Sequence, residues 1–160
     1  MNLIKKTFQI LKDNDLTESY ADYVIDNYKS MQVKINKLRE ILTNISKLRR
    51  KNQTKERMEL IESFDKVLSY IENSFGEYEY DYIDLCHLLK TNKDLKLTAK
   101  IKNKVQYAIN TKSEMKKDFE TIYKNFSNIA KSFDDIPMKE ILKRMREVFD
   151  FNNTKHEHNL

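Results

Sequence analysis

The chain has 160 residues, enough for one domain with its own core, and it combines 39% hydrophobic with 34% charged residues, a balance that suits long helices with one buried stripe. One glycine and one proline exclude folds that use tight turns repeatedly, and Gly76 alone cannot build a phosphate-cradling loop. The net charge of +5 and pI of about 9.1 admit anionic partners. Yet 24 of the 30 basic residues are lysine, in a chain also rich in Asn, Ile, Tyr and Phe, so part of this basicity reads as the codon usage of an AT-rich genome.

The first element is a short helix near 3–13. Leu3, Ile4, Phe8 and Leu11 approximate one face beside Lys5, Lys6 and Lys12, a pattern that suits capping a bundle or, less simply, resting on an anionic membrane. Asp15-Leu16-Thr17-Glu18 then has the form of a capping box and predicts the start of a long helix over 16–51. Its apolar series, Val24, Tyr28, Met31, Ile35, Leu38, Leu42, Ile45, alternates spacings of four and three, the mark of a seam between packed helices.

Asn52-Gln53-Thr54 is a polar break, and a second long helix follows over 54–91, with Ile61, Phe64, Leu68, Ile71, Phe75, Tyr78, Tyr82, Leu85 and Leu89 in its seam. The spacing passes through Gly76 unbroken, which favours a continuous, locally kinked helix over a glycine-terminated one. Thr91 to Asp94 form the next break. The third long helix, over 96–133, carries Ile101, Val105, Ala108, Lys112, Met115, Phe119, Ile122, Phe126, Ile129 and Phe133, a series interrupted only by Lys112. Asp134 and Asp135 end it, and Pro137 sits in the first turn of a closing helix over 137–150, where its missing N–H is harmless.

Short connections between helices force antiparallel neighbours, so the expected fold is all-α: an elongated antiparallel bundle of three long coiled-coil-like helices with a short helix at each end. It forms one domain over 1–151, followed by a tail over 152–160 that has no periodicity and is expected to be disordered. No stretch reaches the length of a membrane span or a signal peptide, and the lone Cys86 excludes an intramolecular disulfide, so the reading is a cytoplasmic protein.

Two surfaces are candidates for function. Lys47, Arg49, Arg50, Lys51, Lys55 and Arg57 crowd around the first interhelical turn, and alternation of the helices brings the closing helix with Lys143, Arg144 and Arg146 to the same end. Such an end can grip backbone phosphate by counterion release or dock on an acidic protein; equally, its first members complement the negative end of a helix. The second surface is acidic and aromatic, with Glu77, Glu79, Tyr80 and Asp81 pointing away from the seam.

Asp84 and His87 are three apart on a helix, but no Glu-x-x-His pair accompanies them, and no nucleophile, base and orienting group can be assembled from spacing. Neither a cofactor nor catalysis is therefore expected. The sequence resembles no family closely enough to carry residue roles across. Its best reading is a scaffold, adaptor or inhibitor acting on a protein partner, with leftover seam offering a route to a homodimer; the alternative is a nucleic-acid-associated protein using the basic turn 47–57.

Overall fold

A computed structural model describes residues 2–48, 54–92, 94–133 and 136–149. Among the described residues there are four helices and no strand: α1 (Leu3–Lys47), α2 (Thr54–Thr91), α3 (Ala99–Ala130) and α4 (Ile136–Phe149). Arg49, Arg50, Lys51 and the tail 152–160 lie outside the described residues.

The short N-terminal helix and the first long helix are one, a correction to the sequence reading. Asn2 caps α1 by accepting a hydrogen bond from the Ile4 N–H at 3.1 Å, and the helix then runs for 45 residues, about 67 Å. The polar segment around residue 15 does not stop it, because its polar groups find partners that a helix interior permits. The Thr17 hydroxyl donates to the Asp13 carbonyl at 2.7 Å, and Glu18, instead of reaching back to a cap, binds Lys104 of α3. Asn14 is buried; its amide donates to the carbonyls of Ile10 and Lys96, and its oxygen accepts the Thr98 N–H. Tertiary satisfaction thus overrides a local stop signal.

Cross-helix contacts set the direction of each element. Asn27 meets Asp81 and Lys34 meets Ser74, so α2 runs antiparallel to α1; Lys104 meets Glu18 and Asp22, and Gln32 meets Asp118, so α3 runs parallel to α1. The short α4 turns back along the upper half of the rod and packs on both α2 and α3. Phe149 stacks on Phe119 with centroids 3.9 Å apart, and Arg144 binds Asp65 and Glu72 of α2 and donates to the Ser69 hydroxyl at 3.0 Å. The upper half is consequently four helices thick and the lower half three.

The core follows the predicted seams with one shift. In α3 the buried row runs Ile101, Val105, Ala108, Thr111, Met115, Phe119, Ile122, Phe126, Ile129, so Thr111 and not Lys112 holds the polar seam position. Spacings of three then four connect Ala108 to Met115 as well as four then three, and burial selects the neutral hydroxyl. Thr111 donates to the Ala108 carbonyl at 2.6 Å and pairs with the Tyr78 hydroxyl at 2.7 Å. Lys112 stays half-buried, with its ammonium 5.4 Å from the centre of the Tyr82 ring. α2 is continuous through Gly76, which has no positive φ.

Candidate interaction surfaces

α1 outruns its partners. The pairing of Asn27 with Asp81 and Lys34 with Ser74 aligns the end of α2 with Thr17, and the connection from α2 to α3 is tied to Asn14. α1 therefore runs past the end of the bundle; residues 3–9 and Leu11 are exposed there, while Ile10 and Asp13 are half-buried. Leu3, Ile4, Phe8 and Leu11 are 76%, 62%, 68% and 56% exposed. The sequence reading placed these residues against the bundle end; the structure leaves them uncovered, because a continuous helix carries them away from the floor instead of folding back over it.

Their direction follows from helical spacing. Leu3, Thr7 and Ile10 continue the row Asn14, Thr17, Ala21, Val24, which is buried in the bundle. Ile4, Phe8 and Leu11 continue the row Asp15, Glu18, Asp22, and the last two bind Lys104 of α3. The uncovered stripe thus faces the space directly beyond the start of α3. Lys5, Lys6 and Lys12 lie to either side of it and are exposed.

At the opposite end, the candidate basic residues divide. Lys47, Lys55 and Lys143 are exposed. Arg57 is half-buried, its guanidinium carbon 4.2 Å above the centre of the Phe133 ring. Arg144 is half-buried among Asp65, Glu72 and Ser69, so its charge is offset by two carboxylates of α2; desolvation lowers its pKa, but hydrogen bonding to those carboxylates outweighs this and raises it. Arg146 turns the other way and donates to the Tyr123 hydroxyl at 2.9 Å. The three candidate cations of α4, Lys143, Arg144 and Arg146, therefore fan out to solvent, α2 and α3 instead of forming one patch. Beside Lys47, a shallow groove of about 490 Å³ between α1 and α2 also contains Glu56 and Glu59, which offset its positive charge.

The acidic candidates are partly committed as well. Tyr80 and Glu77 are exposed, Glu79 is half-buried, and Asp81 accepts a hydrogen bond from the Asn27 amide. Partial desolvation and the neighbouring Asp84 and Glu77 raise the Asp81 pKa, against the lowering effect of that hydrogen bond. On the same helix the Cys86 thiol is buried and its pKa raised by desolvation, which favours the protonated, unreactive form. Between α1 and α3 lies a groove of about 450 Å³, where Thr43, Ser46, Thr121, Asn125 and Asn128 rim an apolar floor including Leu42 and Ile122. Among the described residues no three metal-ligating side chains converge, and no helix is long and apolar enough to cross a membrane.

Sequence reasoning named the basic and acidic surfaces and the apolar face of Leu3, Ile4, Phe8 and Leu11, but favoured covering that face with the bundle end over leaving it exposed. The signal was present: Leu3, Thr7, Ile10, Asn14, Thr17, Ala21 and Val24 form one uninterrupted four-three row. Comparisons with protein-family models, with curated proteins and with solved structures give no match.

Proposed function

We propose that this chain is a non-enzymatic interaction protein of the cytoplasm, a helical rod that acts as a scaffold, adaptor or inhibitor by docking its projecting helix against another protein. The observation that carries this reading is the row of four large apolar side chains uncovered on one face of α1 beyond the bundle. Contiguous apolar surface of that kind marks an interaction site in a water-soluble fold. The projection is continuous with a helix anchored along the whole rod, so presenting it to a partner requires little further ordering of backbone.

The test is affinity capture of the tagged chain from its native cells after nuclease treatment, compared with an Ile4→Glu/Phe8→Glu variant. Proteins retained by the native chain and lost by the variant are the expected result. Identical retention by both removes the projection from the mechanism.

A second reading, contact with nucleic-acid backbone, draws support from the exposure of Lys47 and Lys55 where α1 ends and α2 begins. It predicts retardation of DNA or RNA that falls steeply with salt and is lost on reversing the charge of Lys47 and Lys55. Unchanged retardation in that variant defeats it.

A further inference from the structure

We infer that the occupant of the projecting stripe is a second copy of this chain, docked antiparallel over residues 3–11 so that two rods join tail to tail; this rests on the protein-interaction reading above. Three observations lead to that occupant.

The first is shape. The stripe and the bundle floor form a step, with α1 as its wall and the α2–α3 connection, tied to Asn14, as its base. The stripe faces beneath α3, as shown by the row that continues into Glu18 and Asp22. A flat bilayer brought against the stripe meets the start of α3 first, whereas a single helix fits within the step. The matching object is the same step turned through a two-fold axis, because each projection is as long as the recess it leaves in the other copy.

The second is pattern. Rows of four-three spacing continue through Leu3, Thr7 and Ile10 and through Ile4, Phe8 and Leu11, the arrangement that packs against another helix along its length. In an antiparallel overlap of residues 3–11 Thr7 falls at the centre with Phe8 beside it, and Lys5 of each copy lies level with Gln9 of the other. The remaining lysines lie beside the stripe with their ammonium groups in water.

The third is area. The four exposed side chains offer roughly 500 Å² per copy, so a pair buries on the order of 1,000 Å², at the threshold for a specific and reversible association. The dimer is accordingly weak and concentration-dependent.

Sedimentation of the full chain over a wide concentration range tests the inference. The native chain is expected to shift from monomer to dimer, and Phe8→Glu, at an exposed position that leaves the helical spectrum intact, to weaken this association by at least about tenfold. Thr7→Cys, at the centre of the overlap, is expected to form a disulfide-linked dimer on mild oxidation, while Tyr80→Cys, on the acidic face, is not. A native chain that stays monomeric overturns the inference, and if it then floats with phosphatidylserine vesicles the occupant is a membrane. Dimerisation unaffected by Phe8→Glu, or a dimer in which Thr7→Cys fails to cross-link, overturns it too. Failure here with Phe8→Glu still abolishing capture of a foreign protein leaves the interaction reading standing; loss of neither property in Phe8→Glu removes both.

Discussion

The buried pair Tyr78 and Thr111 gives the sharpest test of the packing. Tyr78 is 1% exposed and Thr111 2%, and their hydroxyls are 2.7 Å apart between α2 and α3. Because Thr111 also donates to the Ala108 carbonyl, its single proton is engaged there, and the Tyr78 O–H is the donor in the pair. Tyr78→Phe removes that donor and leaves Thr111 with its proton still bonded, a loss of about 1 kcal/mol. Thr111→Val keeps the shape but strands a buried donor, which should cost about 2–3 kcal/mol. The double variant has neither group and should recover much of the difference, giving a coupling of about 1 kcal/mol or more. Chemical denaturation followed by circular dichroism measures all four corners of the cycle. Desolvation pushes the Tyr78 pKa far above the ordinary phenol value, so the ordering should hold across neutral and mildly alkaline pH. Equal losses in the two single variants, or a double variant as unstable as their sum, would refute this assignment of donor and acceptor.

Other substitutions probe the remaining joints. Arg144→Met keeps the packing stem but leaves Asp65 and Glu72 without their shared cation; with Arg144 about one-third exposed and its partners partly screened, a loss of about 1–2 kcal/mol is expected, shrinking in high salt and read from the denaturation midpoint. Asn14→Ala removes the partner of the Thr98 N–H and of the Lys96 carbonyl, so hydrogen exchange at Thr98 should accelerate and stability fall by about 1–3 kcal/mol. Gly76→Ala should stabilise by about 0.5–1 kcal/mol, since the position is helical and exposed and an added Cβ meets nothing within 4 Å; a lower thermal midpoint would contradict that. The raised pKa of Asp81 means that the folded chain holds this proton more tightly than the unfolded one. Its contribution to stability is therefore lost as pH rises from the ordinary carboxylate value through the raised one. Asp81→Asn should consequently be more stable than the native chain at neutral pH and lose that advantage in acid, as melts across pH would show.

Periodicity carried much of the fold. Four-three spacing in a chain with one glycine and one proline fixed helices as the elements, and the ends of α2 at Thr54 and Thr91 match the polar breaks that flank it. The seams from Val24 to Ile45 and from Ile61 to Leu85 are buried or half-buried in the order their spacing dictates. The candidate surfaces were less legible. Charge along a sequence shows which residues are cationic, but whether a cation faces water depends on what the neighbouring helix places opposite it. Asp65 and Glu72 draw Arg144 inward, while Tyr123 takes Arg146, and neither contact leaves a trace in the local pattern around residues 143–146.

The sequence by itself determined the class of element, the register of most seams and the turns that separate α2 and α3 from their neighbours, because these follow from short-range periodicity and backbone chemistry. Tertiary structure decided where α1 continues, which residue occupies the polar place in α3, and which apolar face stays uncovered. Asn14 resembles part of a helix stop until Lys96 and Thr98 supply its partners, and Thr111 and Lys112 fit the spacing equally until burial favours a hydroxyl that can be satisfied. The Leu3–Leu11 stripe resembles core until the partner helices end short of it. In each case the local pattern admits two states, and the free energy that separates them lies in contacts between residues distant in the chain.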